Sequence, residues 1–199
     1  MMDSQELIEL ILHGREERNL EYKSCISWDD RNVRDRITKT VLAMSNIPDG
    51  GTIVIGVEQK GESFYPTGLQ PADRDSFKQD DASSYVNEYA DPFVEITVSR
   101  VHHEGLDFVV IQVKEFTEMP VICKKDGSCG LRRGAIYARP RRKYETAEVP
   151  SQVEMREIID RAVEKSSRAL QTRNIRAGVI VVESEVENRK SFEKQLKEL

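Results

Sequence analysis

The segment Thr-Ile-Val-Ile-Gly-Val, residues 52–57, constrains the fold more than any other stretch of the chain. Its side chains are nearly all apolar and β-branched, a composition that favours a strand. A strand with one face in water alternates polar and apolar residues, and this segment does not. We therefore predict a strand at the centre of a sheet.

The turn before this strand contains two adjacent glycines, Gly50 and Gly51, in the sequence Ile-Pro-Asp-Gly-Gly. Glycine adopts positive φ without steric cost, so both are predicted to serve the turn. A phosphate-binding loop would also need a lysine followed by serine or threonine after the glycines, and neither follows here. The glycines therefore predict a turn and not a nucleotide site.

The remaining elements follow from periodicity and capping signals, such as the capping-box spacing of Asp3 and Glu6. In chain order, we predict a helix over 3–13, a strand over 20–23, a helix from Asp29 or Asp30 to Asn46, the strand 52–57, a helix within 68–89, a hairpin of strands 94–101 and 106–113, a second hairpin whose short strands lie within 120–125 and 134–139, and a helix over 149–165. This order predicts an α+β fold, with helices packed on a mainly antiparallel mixed sheet. We expect one domain over residues 1–165 and a C-terminal helical appendage over 166–199.

The composition is that of a globular protein, with 38% hydrophobic and 33% charged residues. No window approaches the roughly 18 uninterrupted apolar residues of a membrane span. The first residues carry acids and no basic region, unlike a secretory signal. Three cysteines, Cys25, Cys123 and Cys129, cannot all pair within the chain, which favours a reducing, cytosolic compartment.

Charge is distributed unevenly along the chain, although its net value is only −5. Residues 73–95 are predominantly acidic, and the segment 123–143 is predominantly basic. The basic residues of that segment are Lys124, Lys125, Arg132, Arg133, Arg139, Arg141, Arg142 and Lys143. Arginines on a β-ribbon can contact successive phosphates of a nucleic acid, so these eight are candidate nucleic-acid-binding residues. Solvation, or pairing with the acidic segment of a second copy, is the alternative.

An ordered set of motifs gives the chain a family resemblance. "LEYK", "VLAMSNIPDGGTIVIGV", "DPFVEI" and "RRGAIYARPRRKYETAE" occur in that order. Over about residues 6–165 the chain resembles the AlbA_2, or Schlafen AlbA-like, domain family. The resemblance implies binding of DNA or RNA, often in regulators and defence proteins. In vertebrate Schlafens, a paired version of the domain cleaves tRNA with a three-carboxylate site.

That resemblance implies a candidate metal site in the stretch "REERNLEYK". Glu16 and Glu21 have the spacing of two Schlafen carboxylates. The third acid is expected just after the Gly-Val strand, where Glu58 is the candidate. If the acid belongs at position 59, the chain has the amide Gln59 in its place. Mg²⁺ or Mn²⁺ bound by these three glutamates would polarise a phosphate, with Lys23 facing it. Ordinary cross-strand ion pairs are the alternative for these residues.

Three functions therefore remain open. The first is a nucleic-acid-binding domain, regulatory or defence-related, that uses the arginine-rich hairpin. The second is a metal-dependent endoribonuclease that uses Glu16, Glu21, Glu58 and Lys23. The third is an oligomeric scaffold whose tail, from residue 166, contacts partners. We expect a homodimer or higher homo-oligomer, because one small domain covers a short stretch of nucleic acid.

Overall fold

The computed structural model describes residues 3–142 and 144–178. Its helices are α1 (Ser4–Leu12), α2 (Arg31–Ser45), α3 (Pro71–Ser76), α4 (Gln79–Asn87) and α5 (Gln152–Arg176). Its strands are β1 (Leu20–Lys23), β2 (Gly51–Ile55), β3 (Val57–Lys60), β4 (Ser63–Pro66), β5 (Ala90–Asp91), β6 (Ile96–His103), β7 (Leu106–Val113), β8 (Ile122–Cys123), β9 (Tyr137–Ala138) and β10 (Ala147–Glu148).

The main sheet has the strand order β1-β2-β7-β6. β1 runs parallel to β2, whereas β2 with β7 and β7 with β6 are antiparallel. Three two-stranded pairs, β3-β4, β5-β8 and β9-β10, surround this sheet. The predicted α+β class with a mixed, mainly antiparallel sheet is therefore confirmed.

β2 is buried on both faces, as its composition predicts. Ile53 and Ile55 point into a core shared with α2, α4 and α5, whereas Val54 points into a second core shared with α1. Successive strand residues face opposite sides of a sheet, so two cores follow directly from this one apolar run. The β3-β4 hairpin belongs to the α1 side, where Phe64 packs against Tyr22 at 5.0 Å between ring centroids.

Several sequence predictions agree with these elements. The Asp3 carboxylate accepts hydrogen bonds from the backbone at the start of α1, and Glu6 completes the capping box. β6 and β7 form the predicted hairpin, with Glu104 and Gly105 at its turn both in the left-handed region. Gly50 has the expected positive φ of 73°.

Other predictions need correction. Gly51 lies in β2 without the positive φ expected of it, and it contributes instead by leaving room for the Met44 side chain. The single helix expected within 68–89 is two helices, because Phe77 takes an extended ψ of 95° between α3 and α4. That break turns the Phe77 ring into the core, where it contacts Trp28.

α5 extends past the predicted helix end at residue 165 and reaches Arg176. The expected boundary between domain and appendage thus falls inside one continuous helix. The part of the expected C-terminal appendage after residue 178 lies outside the described residues. None of the described helices is long and apolar enough to cross a lipid bilayer.

Candidate nucleic-acid interface

The basic segment does not form the ribbon predicted for it. β8 pairs with β5 and β9 pairs with β10, so the two expected hairpin strands share no ladder. They meet at two backbone hydrogen bonds, from Gly134 N to Cys123 O at 2.7 Å and from Cys123 N to Ala135 O at 2.9 Å. The prediction was wrong because each short strand pairs with another part of the chain. Residues 124–133, the basic loop, are closed at their base by those two bonds.

A buried carboxylate fastens the basic loop to α2. Asp35 is inaccessible to solvent and accepts hydrogen bonds from Ser128 N at 2.8 Å and from Ser128 Oγ at 2.5 Å. The hydroxyl of Tyr85, on α4, donates a third bond at 2.5 Å. A buried charge is tolerated when its hydrogen-bonding capacity is met. One side chain therefore ties together α2, α4 and the basic loop.

The charge state of this junction follows from its donors. Burial acts to raise the pKa of the Asp35 carboxyl, but the bonds from Ser128 and Tyr85 outweigh burial and leave that pKa below its ordinary value. Burial raises the pKa of the Tyr85 hydroxyl, and its bond to Asp35 raises it further. Asp35 is therefore ionised and Tyr85 protonated at neutral pH.

The loop lies along the outer side of α2. Cys129 Sγ is 3.6 Å from the backbone oxygen of Asn32, and the ammonium of Lys39 lies 5.2 Å from the centroid of the Tyr137 ring. Further along the chain, Thr146 Oγ1 lies 3.5 Å from Thr40 Oγ1. The basic loop and the segment around Thr146 therefore both border α2.

Several predicted phosphate ligands already have carboxylate partners within the chain. Lys125 pairs with Glu88 at 2.5 Å, Arg132 pairs with Glu148, and Arg141 pairs with Glu157 at 3.4 Å. Glu88 belongs to the acidic segment 73–95, so one of the pairs expected between copies forms within a single chain. The exposed pairs of Lys125 and Arg132 contribute about 0–1 kcal/mol each. Glu157 is only 16% exposed.

Arg139 does not lie on the surface, and its assignment as a nucleic-acid-binding residue is corrected here. Its side chain is 0% exposed, and its guanidinium contacts the carboxylate of Glu21 on β1. Nη2 also donates to the backbone oxygen of Glu17 at 3.2 Å, and Nε has no hydrogen-bond partner among the described residues. The predicted carboxylate site and the predicted basic site thus meet at one buried ion pair.

Three residues of the basic segment are exposed and make no ion pair in the described part of the chain: Lys124, Arg133 and Arg142. Lys124 Nζ donates to the backbone oxygen of Asn87 at 2.6 Å. Arg142 borders a cavity of about 630 Å³ that Thr146 also lines. Lys143, the last predicted member, lies outside the described residues.

α2 contributes cations to this face that the sequence reasoning missed. Lys39 lies against the basic loop, and Arg36 is exposed less than one helical turn away. Neither side chain makes an ion pair among the residues described. The segment "RNVRDRITK" has four basic residues in nine, which indicates a basic surface on this helix. The helix was predicted from its apolar stripe alone, and that stripe does not show its charged side. We call Arg36, Lys39, Arg133 and Arg142 the α2 basic face.

The candidate metal ligands Glu16, Glu21 and Glu58 are not brought together. No three such side chains in the described ranges are close enough to hold a metal ion. Glu16 accepts a hydrogen bond from Tyr22 N at 3.3 Å, and Glu58 pairs with Lys60 at 3.1 Å.

Lys23, expected to face a phosphate, instead contacts the Glu21 carboxylate. These residues therefore do not fit the Mg²⁺ or Mn²⁺ site that the resemblance implies. Each of the three carboxylates instead has a donor or a cation of its own.

Comparison with known proteins identifies a family. The family model described as "Schlafen, AlbA_2" matches residues 16–146, which is most of the described structure. That range contains β1 to β9 and α2 to α4, and so it includes the basic loop and α2. No curated protein matches the chain.

Two solved structures are similar to part of the chain. The crystal structure of the DIP2311 protein from Corynebacterium diphtheriae has a TM-score of 0.46 and 15% identity, over 71% of this chain and 25% of that one. The solution structure of the N-terminal domain of a RecG-related protein from Nitrosomonas europaea has a TM-score of 0.47 and 25% identity, over 67% of this chain and 89% of that one. The match thus spans about a quarter of the DIP2311 protein.

Proposed function

Because the chain belongs to the Schlafen AlbA_2 family, we propose that it is a nucleic-acid-binding domain that contacts phosphates through its α2 basic face. Family membership alone indicates a nucleic-acid-related domain. The observation that carries the finer proposal is that two cation-bearing segments border α2. The basic loop, which carries Arg133, is bonded to α2 through Asp35. Arg142 lines a cavity with Thr146, which lies 3.5 Å from Thr40 of α2. Arg36 and Lys39 belong to α2 itself.

The electrostatics of these side chains supports the proposal. Arg36, Arg133 and Arg142 are exposed and make no ion pair with a carboxylate of the described chain. A guanidinium without such a partner binds a phosphate without first giving up an internal salt bridge, and its planar fork matches two phosphate oxygens. Arg132 forms an exposed pair with Glu148 and is available as an additional ligand.

Two sets of hydrogen bonds hold the basic loop, which carries Arg133 of the face. Asp35 holds the loop through Ser128, and two backbone bonds close the loop at Cys123. A surface held in this way loses little conformational entropy when it binds, which favours affinity. We therefore propose that Arg133 contacts nucleic acid from a loop that the fold holds in place.

Binding to labelled single-stranded RNA, tRNA and duplex DNA, measured by fluorescence anisotropy, tests the proposal. The variant Arg133→Glu/Arg142→Glu reverses two charges of the α2 basic face, and Lys60→Glu reverses one on the β3-β4 hairpin, on the α1 side of the sheet. We expect salt-sensitive binding of at least one ligand by the wild type and by Lys60→Glu, and a strong loss in the double variant. Equal weakening in both variants, or no binding of any ligand, would contradict the proposed face.

The endoribonuclease alternative is addressed by the same samples with Mn²⁺ or EDTA. The arrangement of Glu16, Glu21 and Glu58 gives no support to cleavage, because no metal-binding group forms among the described residues. RNA cleavage that appears with Mn²⁺ and stops with EDTA would nevertheless establish that alternative. The regulatory or defence role and the homo-oligomeric state stay predictions of the family resemblance.

A further inference from the structure

The Glu21 carboxylate is enclosed by two cations of its own chain. The Arg139 guanidinium contacts one carboxylate oxygen, and the Lys23 ammonium contacts the other. The side chain of Glu21 is 9% exposed, and that of Arg139 is 0% exposed. Both oxygens that could bind a metal ion are therefore occupied, one by the buried Arg139 and the other by Lys23, whose side chain is 34% exposed.

The local charge balance opposes a divalent ion at this position. One carboxylate faces two cations, so a bound Mg²⁺ or Mn²⁺ would add positive charge to a site that already has an excess of it. The neighbouring Glu17 already pairs with His13 and Arg15. Glu16 accepts a hydrogen bond from Tyr22 N within β1.

The same pair is joined to the elements around it. The backbone oxygen of Arg139 accepts a hydrogen bond from Arg18 Nε at 2.7 Å. The Arg18 guanidinium also binds both oxygens of Glu157 on α5, at 2.8 and 3.3 Å. Glu157 also pairs with Arg141. The residues after β9 are therefore connected to α5 through Arg141 and to β1 through Arg139.

We propose that Arg139 is the built-in counter-ion of Glu21, standing where the family's nucleases are expected to hold a divalent metal. The pair closes the carboxylate position to metal and fastens the chain after β9 onto β1. Breaking one side of a buried pair leaves an uncompensated charge, so the pair behaves as a unit. This inference goes beyond the proposed function and does not depend on nucleic-acid binding.

Thermal unfolding of the whole chain with and without Mn²⁺ tests metal exclusion. A ligand that binds only the folded state raises the melting temperature. We expect Mn²⁺ to give the wild type the same small shift as it gives Glu21→Gln, because neither protein has a metal site there. A Mn²⁺-dependent rise in the wild type that Glu21→Gln abolishes would overturn the inference.

A double-mutant cycle tests the pairing itself. Arg139→Met and Glu21→Gln each remove one charge, and the double variant removes both. We expect each single variant to lower the melting temperature strongly and the double variant to lower it by less than the sum of the two. Additive losses would overturn the pairing.

Arg132→Met is the matched control, since Arg132 pairs with Glu148 on the surface, and it should change the melting temperature little. Should Arg139→Met fail to fold, the Mn²⁺ comparison of wild type with Glu21→Gln still decides metal exclusion.

Discussion

At the scale of single residues, the buried carboxylate of Asp35 holds the surface-exposed basic loop in place. Its carboxylate satisfies the Ser128 amide and hydroxyl and the Tyr85 hydroxyl, three donors from two elements. A carboxylate only accepts hydrogen bonds, whereas an amide in its place would turn an NH₂ group toward one of these donors. The position therefore requires an ionised acid.

We predict that Asp35→Asn destabilises the fold by about 1–3 kcal/mol at neutral pH, the range for an unsatisfied buried group. Asp29→Asn is the matched control, because Asp29 is exposed, and its effect should stay within about 0.5 kcal/mol. Urea unfolding at neutral pH measures both. Equal stability of Asp35→Asn and the wild type would contradict the role of the three bonds.

The lowered pKa of Asp35 also predicts a pH dependence. Because the folded-state pKa lies below the unfolded value of about 3.9, the stabilisation is complete above that value and is lost as pH falls through the folded-state pKa. Melting temperatures of the wild type should therefore drop further than those of Asp35→Asn as pH falls below about 4. Parallel pH curves for the two proteins would contradict this assignment.

At the scale of elements, the turn before β2 shows how the lack of a side chain at one position decides the packing. A Cβ atom at Gly50 would lie 2.0 Å from the backbone oxygen of Val113, and Gly50 also has a positive φ. Gly61, in the β3-β4 turn, has a similar φ of 64° but open space around its Cβ direction. Comparing substitutions at the two glycines therefore distinguishes the cost of positive φ from the cost of steric overlap.

We predict that Gly50→Ala destabilises the protein far more than Gly61→Ala. Positive φ costs an alanine about 1–2 kcal/mol at either site. Only Gly50→Ala must in addition move β7 away from the turn. Denaturant unfolding measures the difference in the free energy of unfolding between the two variants. Equal losses of stability would contradict a steric contribution from β7 at Gly50.

α5 is held at its centre by Arg161. This guanidinium binds Glu115 at 2.9 Å and the backbone oxygen of Asn46 at 2.5 Å, with its side chain 14% exposed. Arg161→Met should cost about 1.5–3 kcal/mol, the range for hydrogen bonds to charged groups.

The control for Arg161→Met is Arg168→Met on the same helix, where an exposed pair with Glu164 is lost, at a cost of about 0.5 kcal/mol or less. Both changes are measured by urea unfolding. A loss in Arg161→Met no greater than in this control would mean that α5 does not depend on the buried pair.

The elements that could be predicted from the sequence were those with local signals. The capping box of α1, the apolar run of β2 and the Glu104-Gly105 turn each specify their structure within a few residues. The partners of β8 and β9 could not be predicted, because two-residue strands have no periodicity to read. Arg139 contacts Glu21 across 118 positions of sequence, so the residues around Arg139 do not indicate that it is buried. For that reason it was wrongly predicted to be an exposed member of the basic segment.

At the scale of the whole molecule, a chain of net charge −5 carries a local basic face. Nucleic-acid binding depends on where the charges lie, since a local cluster of cations binds phosphates even when the total charge is negative. The sequence predicted the binding cations within residues 123–143, and the proposed face adds Arg36 and Lys39 of α2 to them. The sheet separates this face from α1 and the β3-β4 hairpin, so the two sides are expected to respond differently to charge changes.

The salt dependence of binding tests the central claim most directly. Each phosphate contact contributes about −0.9 to the slope of log K against log salt on duplex DNA and about −0.7 on single strands. The triple variant Arg36→Gln/Arg133→Gln/Arg142→Gln should therefore have a slope shallower than the wild type by about 2–3, with Lys60→Gln unchanged. An identical slope in the triple variant and the wild type would contradict phosphate contact through the α2 basic face.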